Sequence, residues 1–204
     1  FRTLRNNPGF TLVAMLALAL GIGANTALFS VVYGVLLKPL PYAQGQQLVV
    51  LNQKFNRTNE DVLFSVKEIQ DYREQTKTLS QVEEYHQMFF ILLGAQEPDQ
   101  VRTGVVSAHF FDLLGIKPLL GRFFVDADDK PGADAVLVLS YPYWQKRFGG
   151  DANIVGRQFR MNDKVHTVVG VLPPIPQYPR ENDVYMPTVA CPFRSSAMMI
   201  DERQ

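Results

Sequence analysis

Residues Phe10 to Leu37 read FTLVAMLALALGIGANTALFSVVYGVLL, a run without a charged side chain, with Arg2 and Arg5 before it and Lys38 after it. A bilayer's hydrocarbon core asks for about 20 mainly apolar residues at about 1.5 Å rise each, so the run reads as a transmembrane helix with length left over for tilt. Two other readings compete. Ala17-Leu18-Ala19 imitates the small-residue cleavage site of a secretory signal, yet the apolar character continues to Leu37, well past a short cleaved segment. A buried soluble helix apolar on every face is unusual in a chain of this size.

Inside the run, small residues recur every fourth position in two rows, Ala17, Gly21, Asn25 and Ala19, Gly23, Ala27. Such spacing lets a second helix approach closely, and in lipid that close packing is a main source of association. These six residues are the candidate packing site, and Asn25 with Thr26 and Ser30 adds polar groups that prefer a protein partner to lipid tails. Small residues are also common in membrane helices generally, which is the competing account. Arg2 and Arg5 outnumber Lys38 as flanking charges, so the positive-inside rule puts residues 1–9 in the cytoplasm and everything from Pro41 on outside it.

The chain starts at Phe1 without methionine and stops at Arg203-Gln204, so it reads as a piece of something longer. Lys plus Arg and Asp plus Glu balance at 20 each, which leaves no basic field for nucleic acid. Cys191 is the single cysteine, so no internal disulfide framework exists.

Asn6-Asn7-Pro8-Gly9 signals a turn before the span, and Lys38-Pro39-Leu40-Pro41 ends it, because proline cannot donate into the helical ladder. Gln47–Asn52, QLVVLN, reads as a buried strand. Ser65-x-x-Glu68 has the form of a capping box, with Val66, Ile69 and Tyr72 following at helical spacing. Strands are expected over 81–94 and 101–106, and Ser107 is expected to cap a short helix holding Phe110, Phe111 and Leu114, stopped by Gly115. After an acidic loop from Asp126 to Gly132, Ala135–Leu139 reads as a buried strand and Ser140 as the cap of a helix that Gly149-Gly150 ends. Phe159–Val171 reads as a hairpin turning at Asn162-Asp163, and the proline-rich remainder carries no clear pattern.

Motifs for chemistry are missing. An EF-hand started at Asp126 needs glycine at its sixth position and glutamate at its twelfth, where Pro131 and Leu137 stand. His86, His109 and His166 sit on separate elements and read as surface or turn residues, not metal ligands. No G-x-x-x-x-G-K-[ST] loop and no G-x-S-x-G elbow occur, so no catalytic residue, cofactor or metal is assigned and the chain is read as a non-enzyme.

Taken in order, the segments resemble a known family, the MacB-like or FtsX-like permeases of ATP-binding-cassette systems, and most of all the duplicated orphan permeases of acidobacteria. The residues that carry the resemblance are Asn7-Pro8-Gly9-Phe10, Gly21 to Ser30, Leu37 to Tyr42, Leu113 to Pro118, Gly121-Arg122-Phe123-Phe124, Leu139-Ser140-Tyr141, Phe148 to Asp151, Val155-Gly156-Arg157 and Val168 to Pro173. The resemblance implies an α+β fold: one N-terminal transmembrane helix (10–37), then an extracytoplasmic domain. That domain would comprise a membrane-proximal α/β, porter-like subdomain beginning over 42–124, a strand-rich, sabre-like insertion over 125–190, and a return segment starting at 191–204. It implies a permease subunit of the bacterial inner membrane with a periplasmic domain, working by mechanotransmission. Its partners would be a separate ABC ATPase, further permease helices or a second permease copy, and membrane lipid. The R-L-K-P-G-like segment that completes the first subdomain in that family does not occur before Gln204, so an open sheet edge is expected. A signal-anchored sensor or ligand-binding module, and a membrane-anchored enzyme with a dispersed site, are the other readings.

Overall fold

The computed structural model describes residues 8–34, 42, 44–54, 61–94, 97–161, 163–196 and 199–200. The chain divides into two compact units, Phe1–Leu40 and Pro41–Gln204. The first is built on helix α1, Pro8–Val32, 25 residues without a buried side chain. Pro8, inside the segment expected to turn, is already helical. Arg2, Arg5 and the expected stop at Lys38–Pro41 lie outside the described residues.

In the second unit the strands are β1 (Gln53–Lys54), β2 (Asp61–Val62), β3 (Tyr85–Leu93), β4 (Asp99–Val106), β5 (Leu120–Gly121), β6 (Val136–Leu139), β7 (Gln158–Met161), β8 (Lys164–Val171) and β9 (Val184–Pro187). Helices α2 (Val66–Gln75), α3 (Phe110–Leu113) and α4 (Tyr141–Phe148) lie between them. Among the described residues β1 and β2 pair only with each other, and the other seven strands form one mixed sheet in the order β5-β8-β6-β9-β4-β3-β7. β8 pairs β7 over Lys164–Thr167 and β5 at Gly170 and Val171, while β6 runs parallel along its other edge. The sheet thus returns on itself, but β3 meets β7 only at Leu92 and Leu93. Among the described residues, Tyr85–Ile91 is therefore the open edge on that side of β3.

Two apolar layers follow from the two-residue period of the strands. Leu137, Leu139, Val184 and Met186 face a core holding Trp144 and Phe159, whereas Val136, Val138 and Tyr185 face one holding Phe111 and Phe124. The sheet runs continuously across residue 124, since β4 pairs parallel with β9 and β3 pairs antiparallel with β7. Gly104 on β4 makes room for the ring of Tyr185, whose Cδ1 would lie 2.6 Å from an added Cβ.

Local signals decide the helix ends. The Glu68 N–H donates to Ser65 Oγ at 3.2 Å and the Ser65 N–H to Glu68 Oε2 at 2.8 Å, completing the expected capping box of α2. Ser140 caps α4 by accepting from the Tyr143 N–H at 3.4 Å, and Gly149 ends it at φ 61°. Asp163 takes φ 58° in the β7–β8 turn, as a short polar side chain tolerates; Asn162 lies outside the described residues.

Three expectations fail. Residues 48–52 form no strand: among the described residues no strand pairs with them, and Val49 is 64% exposed. Ser107 does not cap α3, because its hydroxyl already accepts the Glu84 N–H at 2.9 Å and donates to Glu83. The patternless tail contains β9, buried between β4 and β6, whose Pro187 sits at the strand's last position.

Candidate functional site

The six residues of the two small rows all lie on α1 and all are exposed. At about 100° per residue each row drifts by about 80° over its length, and the two rows start on nearly opposite faces. A Cβ built on Gly21 or Gly23 would meet nothing within 4 Å. Ser30 Oγ donates to the Thr26 carbonyl at 2.8 Å, a back-bond that satisfies its hydroxyl within the helix. Asn25 carries the one amide side chain of a helix whose length and composition fit a membrane span.

The second unit holds a groove of about 930 Å³ beside the open part of β3. Val49, Leu51, Leu63, Tyr72, Tyr85 and Phe193 give it an apolar lining. Glu84 and Arg194 form a buried ion pair in its wall, and Arg194 Nη1 also donates to the Phe64 carbonyl at 2.7 Å. Burial pushes the Glu84 carboxyl up, against the lowering pull of Arg194. His86 is pushed down to about 4, first by burial and then by the Arg194 charge, so its imidazole is neutral.

The comparisons with known proteins come down on one family. Residues 11–203 match the profile described as MacB-like periplasmic core domain. The chain belongs to that family. Among solved structures, the periplasmic region of MacB from Actinobacillus actinomycetemcomitans is similar to it at 17% identity and a TM-score of 0.54, over 65% of this chain and 59% of that one. The extracellular domain of the noncanonic ABC-type transporter YknZ from Gram-positive bacteria is similar at 18% identity and a TM-score of 0.49, over 61% of this chain and 62% of that one. The chain thus spans about three fifths of the structures it resembles. No curated protein sequence matches it. Its architecture is α+β, one N-terminal apolar helix followed by a mixed α/β domain that resembles the periplasmic region of MacB.

Within this MacB-like domain the three histidines fall in different surroundings. His109 is exposed and lies between two carboxylates, Nδ1 at 2.9 Å from Asp112 and Nε2 at 2.8 Å from Asp126. His166, expected at the surface, is fully buried on β8, and His86, on β3, is half-buried against Phe193. Sheet formation overrides the local polarity in both cases, because alternate residues of a strand must face the core.

Two carboxylates of the acidic loop, Asp128 and Asp129, turn back onto the domain, while Asp126 stays exposed. Asp128 accepts from both Arg122 Nη atoms at 2.6 and 3.0 Å and from the Val125 N–H at 2.9 Å. Asp129 accepts from Thr188 Oγ1 at 2.7 Å and from the Val189 N–H at 3.0 Å, tying the loop to the segment after β9. Among the described residues no three His, Cys, Asp or Glu side chains cluster as a metal site. Sequence reasoning missed the groove and its ion pair, since Glu84 and Arg194 stand 110 residues apart.

Proposed function

We propose that the chain is the N-terminal part of a permease subunit of an ABC-type system, which couples a separate cytoplasmic ATPase to motion of its extracytoplasmic domain. The observation that carries this reading is the family match across residues 11–203, which takes in both the apolar helix and the sheet domain. In this reading α1 crosses the inner membrane with the N-terminus in the cytoplasm and the domain in the periplasm. Residues 42–124, with the return segment from 191, form the membrane-proximal part, and 125–190 is an insertion whose strands join its sheet. The chain is a non-catalytic subunit, and work is transmitted mechanically.

The Ala17/Gly21/Asn25 and Ala19/Gly23/Ala27 rows are the surfaces on which further permease helices, or a second permease copy, pack. Hydrolysis by the neighbouring ATPase, measured with and without the full-length permease in lipid, tests the reading: stimulation and co-purification are expected, and an indifferent ATPase that does not associate overturns it. Gly21→Leu and Gly23→Leu should then abolish co-purification while membrane insertion persists.

The groove favours a second reading, a signal-anchored ligand-binding or sensor module. Full-length protein with a single span and a signalling output domain would support it, whereas several further spans would exclude it.

A further inference from the structure

Three soft donors converge behind the groove wall. Cys191 Sγ lies 3.7 Å from His86 Nε2 and 3.6 Å from Met88 Sδ. His86 and Met88 are two residues apart on β3, so their side chains leave the same face of the strand. Cys191 is fully buried in the segment after β9. A thiol has one proton and can satisfy at most one of the two facing atoms.

The two distances from Cys191 are close to those between ligands that share one ion. Bonds of about 2.0 Å to imidazole nitrogen and about 2.3 Å to sulfur, taken at 120°, place nitrogen and sulfur about 3.7 Å apart and two sulfurs about 4.0 Å apart. The observed separations agree to within a few tenths of an ångström. Thiolate, thioether and imidazole together form a soft set, and a thioether is a donor that monovalent copper accepts and hard cations do not.

We infer that Cys191, His86 and Met88 form a binding site for monovalent copper. On binding, the Cys191 S–H bond breaks, its proton leaves to solvent and an S–Cu bond forms, while copper remains monovalent and no electron moves. One thiolate and one Cu(I) make a neutral unit, which suits a buried position. A divalent ion would leave a net positive charge near Arg194, whose own charge Glu84 balances. His86 and Met88 both line the groove, so the ion has an entry path that does not require the sheet to open. None of this depends on the transport reading.

The test is anaerobic titration of the full chain in detergent with Cu(I), supplied as its acetonitrile complex, against a chromophoric Cu(I) chelator. One equivalent per chain is expected, with a copper-edge X-ray absorption shell of one nitrogen and two sulfurs. Cys191→Ser and Met88→Leu should each weaken binding roughly tenfold or more. Met88→Leu preserves volume, so an unchanged unfolding midpoint separates ligand loss from misfolding. The inference is overturned if the wild type takes no Cu(I) from the chelator, if either variant binds as the wild type does, or if the shell lacks two sulfurs. Equal competition by Zn(II) overturns the choice of ion.

Discussion

Helix α1 and the seven-stranded sheet are both rich in apolar residues, and only the sheet hides them. Leu12, Met15, Leu18 and Leu28 of α1 are each more than half exposed, whereas Leu137, Leu139, Val184 and Met186 of the sheet are sealed from solvent. Water would penalise the first arrangement at about 25 cal/mol per Å² of apolar surface, so α1 is built for a different solvent, and lipid is the one its length fits. In lipid the hydrophobic effect no longer selects among apolar surfaces, and shape takes over. On the proposed packing role small residues matter on α1, whereas large ones hold the sheet together.

The largest expected contrast comes from Phe111, which is almost fully buried, stacks on Phe123 at 4.3 Å and meets Tyr185 edge-on at 5.1 Å. Phe111→Ala should cost the domain about 3–5 kcal/mol by loss of buried area and creation of a cavity. Leu18→Ala on α1 should leave the domain's unfolding unchanged. Urea titration of the full chain in detergent, followed by the fluorescence of Trp144, the single tryptophan, reads both. Equal losses from the two substitutions would break the contrast.

A smaller effect separates two glycines. Alanine at Gly104 would press its Cβ into the Tyr185 ring, so Gly104→Ala should destabilise the domain by about 1–3 kcal/mol in the same titration. Gly23→Ala, with nothing within 4 Å of the new methyl, should leave domain stability where it was.

The smallest effect is one of pH. Residues 8–32 carry no ionisable side chain, so pH-dependent stability belongs to the domain alone. Hydrogen bonds to Asp112 and then Asp126 raise the His109 pKa. A raised folded-state pKa means that the imidazolium's contribution is complete below the unfolded value of about 6.5 and disappears as pH rises through the folded value. Because the ring is exposed, solvent screening limits this to a few tenths of a kcal/mol. His109→Gln should flatten the urea midpoint against pH between about 6 and 8, and an unaltered slope would remove His109 as its source.

Features legible in the sequence are those written within a few residues. The Ser65/Glu68 box, the Ser140 cap, the Gly149 stop and the β7–β8 turn each depend on atoms at most four positions apart, where residue type nearly dictates geometry. Gln47–Asn52 shows the limit of that logic: its β-branched run has strand propensity, but a strand exists only when another edge accepts its hydrogen bonds. The reverse happened at Val184–Pro187, where two neighbouring strands impose extended backbone on a proline-bounded segment that has no pattern of its own.

By itself, then, the sequence determined that residues 10–37 suit lipid, where α2 begins and where α4 begins and ends, because charge depletion and capping act over one or two turns of chain, and its family resemblance implied the α+β domain that follows. Tertiary structure alone decided the return of the sheet onto itself through two residue pairs, the open length of β3, and the meeting of Cys191 with His86 and Met88. Those partners lie 105 and 103 residues apart, and only the stacking of β3 against the segment after β9 brings them within bonding range of one ion.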